Sequence, residues 1–332
     1  MFKKFVSVCL CACMLVFSGA CKKEKTDITV YMPDGAPAIA LAGAMHADDQ
    51  DDGVCYKVVK ADTIASVVSY ENDGDNADIC VMPVSTASKL LGNGEKYALA
   101  ATLTHGNLYL ISKTGETQYT ADNLSTLVGK TVGVLQINAV PGLTLKATLK
   151  KHGVAYAEMK NTDEIKTDAV NLKAIADITA EDGTLNAYLV AEPAASVQVK
   201  KNGYTLVGDL QTLYGGEKGY PQAVAVVKKS LMETDSERVR TVLKQIENSC
   251  AWAQTASGEQ IVAAVNAHMA DSSQTTSLKA PLLYAEVVGR CGIRFESAKD
   301  GKDDINAFLS GLKAVNENAV GTALDTFFWD WE

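Results

Sequence analysis

Arginine is scarce in this chain of 332 residues, which contains only four arginines, has 40 acidic side chains and carries a formal net charge of −9. A chain this acidic is a poor candidate for nucleic-acid binding, because proteins displace the counterions of nucleic acids with clusters of basic side chains. Aromatic residues are also few, at 7% of the chain, which disfavours a large exposed patch for binding another protein.

The sequence also lacks the motifs that identify common enzymes and metal sites. It has no G-x-S-x-G, H-E-x-x-H or P-loop pattern, and its histidines have no metal-ligand spacing: His46, His105, His152 and His268. The acidic run 48–53 fails the EF-hand pattern, because Gln50 occupies a position that requires Asp or Asn. We therefore predict a protein that is not an enzyme and that carries no cofactor or metal.

The one long apolar run lies at the N-terminus. Two lysines precede an apolar stretch of about 13 residues that ends at Phe17, whereas a membrane-spanning helix needs roughly 20. Small residues then lead directly to Cys21, as in the lipobox of bacterial lipoproteins. We predict a signal peptide over 1–20, lipidation of Cys21 and a solvated tether over 21–27, which place the protein on the extracytoplasmic face of the cell membrane. An ordinary signal peptide cleaved nearby is the alternative.

Four cysteines follow Cys21, and they form no C-x-x-C pair and no metal-finger spacing: Cys55, Cys80, Cys250 and Cys291. Buried free thiols are the favoured interpretation. Disulfides stay open at this stage, because the predicted location is outside the cytoplasm.

Strand and helix patterns alternate along the rest of the chain. Apolar runs bounded by turn residues predict strands at 28–32, 56–59, 77–82, 97–103, 108–112, 131–135, 185–190 and 223–227. Helical spacing predicts helices at 36–45, 64–70, 85–91, 141–152, 235–254, 258–269, 281–291 and 303–316. This order predicts an α/β fold of mostly parallel sheets with helices on their faces, and the length suits two domains.

Short segments rich in Gly, Pro and small polar residues follow several predicted strands: YMPDGAPA at 31–38, THGNLY at 104–109, GKTVGV at 129–134, VPGLT at 140–144, EPAA at 192–195 and YPQA at 220–223. Each segment is common when it occurs alone. In this order and spacing they resemble the sulfonate, nitrate and thiamine-pyrimidine group of substrate-binding lipoproteins that serve ABC importers. The resemblance spans residues 28–332.

The resemblance implies a two-lobed type II periplasmic-binding-protein fold, in which each lobe is a mostly parallel sheet flanked by helices. The first lobe would contain residues 28–112 and 224–332, and the second residues 113–223. It further implies a monomer that captures a small molecule by hinge closure and delivers it to the ABC permease of an importer.

The candidate ligand-binding residues follow from the strand ends and the crossings between lobes. In open parallel sheets, ligands bind outside the carboxyl ends of the strands, where helix N-termini present unpaired N–H groups. The candidates are Asp34, Gly35, Ala36, Ser85, Thr86, His105, Gly106, Asn107, Asn138, Val140, Gly142, Glu192 and Tyr220.

Each candidate also has a purely structural interpretation. Asp34, Ser85, Thr86 and Asn138 either bind a ligand or cap a helix. Glu192 either binds a cationic or N–H-bearing ligand or forms a salt bridge at the edge of its lobe, and Tyr220 either stacks on a ligand ring or packs in the core. His105 is more often a structural histidine, and the glycines either admit a ligand close to the backbone or form ordinary turns.

The ligand class can be inferred from the charged side chains that the predicted cleft loops contain and lack. None of the four arginines lies in a predicted cleft loop, so a bidentate clamp on a carboxylate or sulfonate is missing, and Asp34 and Glu192 would repel an anion. We therefore expect a neutral or cationic, heterocyclic metabolite. Two other functions stay open: a surface lipoprotein that binds another protein, and an enzyme like thiamine-pyrimidine synthase, whose clustered cysteine motif this chain lacks.

Overall fold

The computed structural model describes residues 27–47, 53–68, 77–92, 96–114, 118–160, 162–178, 185–321 and 327–331. The predicted signal peptide, the lipidation site Cys21 and the tether up to residue 26 lie outside the described residues. Within these ranges, none of the helices has both the length and the apolar character needed to cross a membrane.

Strands and helices alternate through the described residues. In chain order they are β1 (Ile28–Pro33), α1 (Ala36–His46), β2 (Val54–Val59), β3 (Ile79–Pro83), α2 (Val84–Gly92), β4 (Tyr97–Thr104), β5 (Leu108–Ser112), β6 (Thr131–Leu135), α3 (Val140–Lys151), β7 (Tyr156–Met159), β8 (Val170–Ile175), β9 (Ala187–Ala191), α4 (Ala194–Asn202), β10 (Thr205–Asp209), β11 (Ala223–Lys228), α5 (Lys229–Thr234), α6 (Ser236–Ala253), α7 (Gly258–Ala267), α8 (Ala285–Arg290), β12 (Ile293–Ser297) and α9 (Lys302–Val315). The predicted helix at 64–70 is instead a short 3-10 segment, Ile64–Val68.

Two sheets organise these elements into two lobes. Among the described strands, the first sheet has the order β12-β4-β11-β3-β1-β2 and the second the order β10-β5-β9-β6-β8-β7. We call the first sheet with α1, α2 and α5–α9 the first lobe, and the second sheet with α3 and α4 the second lobe. The chain passes from one lobe to the other between β4 and β5 and returns between β10 and β11, and we call these two connections the crossings.

Both sheets are mixed, although the sequence predicts mostly parallel ones. In the first sheet β1 pairs in parallel with β2 and β3, but β11 runs antiparallel to both β3 and β4. The reason is that β11 enters the first sheet from the crossing side, whereas β1, β3 and β4 run toward that side. In the second sheet β5 leaves the crossing and is therefore antiparallel to β9 and β10.

Helices cover both faces of each sheet. The face of the first sheet that carries α1 and α6 has an apolar core in which the stripe predicted on α6 is buried: Val239, Val242, Leu243, Ile246, Cys250 and Ala253. The opposite face carries α2 and α9, and its apolar cluster continues into the second lobe at α3. The two lobes therefore pack together on one side of the crossings. The ends of the strands that point toward the crossings are where a ligand-binding site is expected.

Candidate functional site

The carboxyl ends of neighbouring strands bring the predicted loops together in pairs. In the first lobe β1 and β3 are adjacent and parallel, so the loop at Asp34 lies beside the loop at Ser85. In the second lobe β6 and β9 are adjacent and parallel, so the loop at Asn138 lies beside the loop at Glu192. Each lobe thus contributes two of the predicted loops to the edge that faces the crossings.

A line of hydrogen bonds connects these loops through the crossings. The amide of Val84 donates to the carbonyl of Gln222 at 2.9 Å, and Gln222 Nε2 donates to Asn107 Oδ1 at 2.7 Å. Asn107 Nδ2 in turn donates to the carbonyl of Glu192 at 2.9 Å, and the amide of Glu192 donates to the carbonyl of Asn107 at 2.8 Å. Buried Asn107 therefore fixes both crossings relative to a loop of each lobe, which is a structural task.

The carboxylate of Asp34 is bonded within its own lobe. It accepts hydrogen bonds from Thr276 Oγ1 at 2.5 Å, from the amide of Ser277 at 2.7 Å and from the amide of Gly35 at 3.0 Å. Gly35, not Asp34, occupies the N-cap position of α1, and no side chain caps that helix. Asp34 thus ties the segment 276–277 to the end of β1, and little of its acceptor capacity is left for a ligand.

Ser85, Thr86 and Asn138 are uncommitted. The hydroxyls of Ser85 and Thr86 make no hydrogen bond to a described residue, and neither does the side-chain amide of Asn138. Asn138 is also exposed. None of the three is an N-cap, because α2 begins at Val84 and the N-cap of α3 is Ala139. The capping interpretation of Ser85 and Asn138 therefore fails; Asn138 is exposed, whereas Ser85 is buried beside the start of α2.

The loop between β6 and α3 contains a residue that the sequence analysis missed. Gln136 is exposed and has a φ of 53°, a left-handed conformation that non-glycine residues rarely adopt. Such strained residues concentrate at functional sites. The sequence offered no signal for it, because nothing in the residue type predicts a positive φ.

The three predicted glycines have different surroundings. A Cβ atom on Gly106 would lie 2.7 Å from Gln211 Cγ and 2.8 Å from the ring of Tyr220, and one on Gly142 would overlap the carbonyl oxygen of Ile137. These two glycines are required by the protein's own packing. Gly35 has a φ of +111° and no heavy atom within 4 Å of a Cβ position, so the space beside it is open.

The remaining helix-start candidates, Ala36 and Val140, are the first residues of α1 and α3, and both side chains are buried. They can contribute to a ligand site through backbone N–H groups and not through their side chains. Tyr220 is also buried, and its ring stacks on that of Phe308 with the centroids 4.9 Å apart. Tyr220 therefore belongs to the apolar contact between the lobes.

Glu192 forms an ion pair that joins the two lobes. Its carboxylate accepts a hydrogen bond of 2.7 Å from Arg290 Nε, and it also accepts from the amide and the hydroxyl of Ser196 at 2.9 and 2.8 Å. The side chain of Glu192 is fully buried. The charge of Glu192 is thus compensated within the protein, and its partner Arg290 is a second residue that the sequence did not reveal.

His105 is a buried residue of the first crossing. Its Nε2 lies 3.1 Å from Glu296 Oε2, and its Nδ1 is buried without a hydrogen-bond partner. Burial lowers the pKa of His105 below its usual value of 6.5, and the hydrogen bond to Glu296 opposes that effect. The same hydrogen bond lowers the pKa of Glu296. A neutral His105 that donates from Nε2 to ionised Glu296 is consistent with both directions.

The four cysteines after Cys21 are free thiols, and Cys80, Cys250 and Cys291 are buried. Burial raises the pKa of Cys250 to about 12 and raises those of Cys80 and Cys291 further. The favoured interpretation of buried free thiols is confirmed for Cys80, Cys250 and Cys291, whereas Cys55 is a free thiol that is partly exposed.

No family model matches this chain, and no curated protein matches it. Among solved structures, an ABC transporter protein from Parabacteroides distasonis superposes with a TM-score of 0.68 at 21% identity, over 92% of this chain and 99% of the other. The periplasmic aliphatic sulphonate binding protein SsuA from Escherichia coli superposes with a TM-score of 0.64 at 14% identity, over 92% of each chain.

A third structure, the CA3427 gene product of Candida albicans, is described as having the generic periplasmic binding protein fold. It superposes with a TM-score of 0.51 at 10% identity, over 91% of this chain and 94% of the other. Identities this low establish a shared fold and nothing finer. The likeness confirms the two-lobed architecture predicted from the sequence.

Proposed function

We propose, from the periplasmic-binding-protein fold that this chain shares with those structures, that it is a solute-binding lipoprotein which captures a small metabolite between its lobes and delivers it to an ABC importer. One observation carries the proposal: each lobe has polar side chains without a side-chain hydrogen bond to a described residue where its strands end beside the crossings, Ser85 and Thr86 in the first turn of α2 and Asn138 in the loop before α3. Ligands of open α/β sheets bind at such ends.

The proposed contacts are neutral hydrogen-bonding groups. Ser85 and Thr86 would donate and accept through their hydroxyls, and Asn138 and Gln136 through their amides. Backbone N–H groups at the starts of α1, α2 and α3 add further donors, and the open space beside Gly35 leaves room for a ligand. We assign Asn107, Gly106, Gly142 and Tyr220 to the framework that holds these loops.

The ligand class that fits these contacts is a neutral, polar heterocycle. The carboxylates of Asp34 and Glu192 are both bonded within the protein, so neither supplies the free negative charge that a cationic ligand would need. The one arginine near these loops, Arg290, is committed to Glu192. Neutral donors and acceptors distributed over both lobes suit the edge of a heterocyclic ring, where N–H groups donate and carbonyl oxygens and unprotonated ring nitrogens accept.

The membrane anchor and the partner complete the proposal. Lipidation of Cys21 would hold the protein on the extracytoplasmic face, and residues 22–27 would separate the folded part from the lipid surface. The ABC permease of an importer would receive the ligand from a monomer. A Cys21→Ser variant should leave the membrane fraction and appear in the soluble extracytoplasmic fraction, while an unchanged membrane fraction would rule out the lipid anchor.

A thermal-shift screen of the purified protein over vitamins, heterocycles, amines and sulfonates tests the proposed function. We expect one class of neutral heterocycle to raise the melting temperature by about 4 °C or more at saturation, because ligand at one hundred times Kd stabilises by about 2.7 kcal/mol. The same compounds should be recovered unchanged, since the proposal includes no turnover.

Two variants make the screen specific. Thr86→Val removes one uncommitted hydroxyl in α2 and should reduce the shift, while Thr241→Val removes an exposed hydroxyl on α6 and should leave it intact. The absence of a shift with every class, or the conversion of a compound into product, would reject the function proposed here.

A further inference from the structure

The segment 276–290 of the first lobe, which we call the rim segment, connects a loop of one lobe with a loop of the other. Near its start the amide of Ser277 donates to the carboxylate of Asp34, which follows β1. At its end Arg290 donates from Nε to Glu192, which follows β9 in the second lobe. The rim segment therefore runs along one side of the gap in which the ligand of the proposed function would bind.

One side of the rim segment is buried in the first lobe. Four of its apolar residues belong to the core on the face that carries α1 and α6: Leu278, Leu283, Val287 and Val288. The second lobe holds the end of the segment, because the hydroxyl of Tyr109 in β5 donates to the carbonyl of Arg290 at 3.2 Å. The backbone of the rim segment is thus fixed by both lobes.

Tyr284 is the aromatic residue of the rim segment, and it is not part of that core. It is the N-cap residue of α8, and 46% of its surface is exposed. Its hydroxyl lies within hydrogen-bonding reach of the Arg290 guanidinium. Because the same guanidinium meets Glu192, the Tyr284 ring lies on the side of α8 that is directed toward the second lobe.

The Arg290 head group is held on several sides, and it orients Tyr284 in turn. Besides its bond to Glu192, the guanidinium donates to Glu286 Oε1 at 2.6 Å and to Ser196 Oγ at 2.7 Å. A ring whose hydroxyl is held by such a group has little conformational freedom left to lose when a ligand binds. The ring of Tyr284 is therefore both accessible and oriented in advance.

We propose that Tyr284 is the aromatic contact of the ligand site and that the ligand is a planar aromatic heterocycle, not a saturated one. The face of the ligand would stack on the Tyr284 ring, while Thr86 and Asn138 would bond to its edge. Tyr220, which the sequence offered as a stacking residue, is buried. This inference rests on the proposed function and adds a residue and a ligand shape to it.

Calorimetric titration of the purified protein with two sets of neutral ring compounds tests the proposal. The aromatic probes are uracil, cytosine, adenine, nicotinamide and pyridoxine. The saturated probes are 5,6-dihydrouracil and 2-imidazolidinone, which have N–H and carbonyl groups but no aromatic ring. We expect at least one aromatic probe to bind and neither saturated probe to bind as tightly.

Two substitutions of Tyr284 separate stacking from a structural role of its hydroxyl. Tyr284→Leu removes the ring and should weaken binding of the aromatic probe by about tenfold or more, as expected for the loss of a stacked aromatic side chain. Tyr284→Phe keeps the ring, so its affinity should stay within about threefold of the wild type. Both variants lose the contact with Arg290, so damage to the ion pair with Glu192 would appear in both.

A control on the second lobe tests whether any exposed apolar side chain has the same effect. Ile165 is the other large apolar side chain that is exposed among the described residues, and Ile165→Ala should leave the affinity unchanged. Circular dichroism and the melting temperature without ligand verify that each variant is folded.

Three results would overturn the role of Tyr284. They are wild-type affinity in Tyr284→Leu, an equal loss of affinity in Tyr284→Leu and Tyr284→Phe, and the failure of every aromatic probe to bind. The proposed function would survive each of them, provided that some small molecule still binds or still raises the melting temperature in the thermal-shift screen. If no compound does either, the proposed function fails, and the role of Tyr284 fails with it.

Discussion

Arg290 in the first lobe donates a hydrogen bond of 2.7 Å from Nε to Oε1 of Glu192 in the second lobe. Arg290 Nη2 also donates to Ser196 Oγ at 2.7 Å, and that hydroxyl donates to the same carboxylate. The Glu192 side chain is fully buried, whereas that of Arg290 is 19% exposed. The fold thus has a buried, charged connection between its lobes on the side opposite the α3–α9 contact.

The unequal burial of this pair predicts unequal costs for removing each partner. Arg290→Gln leaves a buried carboxylate without its cation and should lower the free energy of unfolding by about 3 kcal/mol. Glu192→Gln leaves a guanidinium that can still reach water and should cost less. The double variant should cost less than the sum of the two, because the uncompensated charge is gone.

Urea unfolding of the four proteins measures this cycle, and Arg294→Gln provides the control. Arg294 is 44% exposed and makes no short ion pair, so its loss should change stability by less than about 0.5 kcal/mol. Strictly additive costs of Arg290→Gln and Glu192→Gln would contradict the interlobe ion pair.

Because His105 is buried, we expect the protein to lose stability as the pH is lowered from 7 to 5. Burial lowers its pKa in the folded protein below the value of 6.5 that it has when unfolded. Over that window the unfolded state binds a proton that the folded state does not, so stability falls as the pH is lowered. The nearby charged groups that act on His105 are Glu296 and Arg294. The pKa of Glu296 is itself lowered from 4.5, so protonation of Glu296 changes the stability of the protein only below this pH window.

His105→Gln removes the titration but keeps an N–H group that can donate to Glu296. The melting temperature of this variant should depend less on pH between 7 and 5 than that of the wild type. Parallel pH profiles for the two proteins would mean that another group causes the dependence.

Replacing Gly142 at the start of α3 with a larger residue should destabilise the protein for steric reasons. Alanine normally stabilises a helix relative to glycine by about 1 kcal/mol. At this position a Cβ would overlap the carbonyl oxygen of Ile137, so Gly142→Ala should destabilise the protein by about 1–3 kcal/mol. Gly289→Ala, where the space is open, is the matched control and should be neutral or stabilising. A Gly142→Ala protein as stable as the control would refute the close packing of this loop.

The buried thiols predict selective labelling. With a pKa of about 12, Cys250 is ionised to a fraction of about 10⁻⁴ at pH 8, and Cys80 and Cys291 less. Iodoacetamide should therefore modify Cys55, which is partly exposed, long before these three, and denaturant should make them all react. Peptide mass spectrometry identifies the sites, and Cys55→Ser is the control. Rapid native labelling of Cys250 would contradict its burial.

Local patterns were sufficient to predict the strands and helices that have one continuous apolar face. The bounds of β5 and β6 match the prediction, as does the buried stripe of α6. Three strands of the second sheet and one of the first were missed: Tyr156–Met159, Val170–Ile175, Thr205–Asp209 and Ile293–Ser297. The first is an edge strand with no buried residue, and the second contains buried Asn171, so neither presents the alternation or the apolar run by which strands are identified.

The sequence predicted which loops form the candidate site but not which residues their side chains contact. The loops could be predicted because each follows the end of a strand, which is a local feature of the sequence. The partners that decide which side chains are free are distant: Glu192 and Arg290 are 98 residues apart, and Asp34 and Thr276 are 242 apart. Only tertiary packing brings these partners together, within the first lobe for Asp34 and between the lobes for Glu192, so the sequence alone left each residue with two interpretations.

The central claim is that one small molecule contacts both lobes, and a calorimetric titration of the screened heterocycle tests it most directly. We predict that Thr86→Val in the first lobe and Asn138→Ala in the second each raise Kd by about tenfold, equivalent to about 1.4 kcal/mol, with melting temperatures in the absence of ligand unchanged. Wild-type affinity in both variants would contradict the claim.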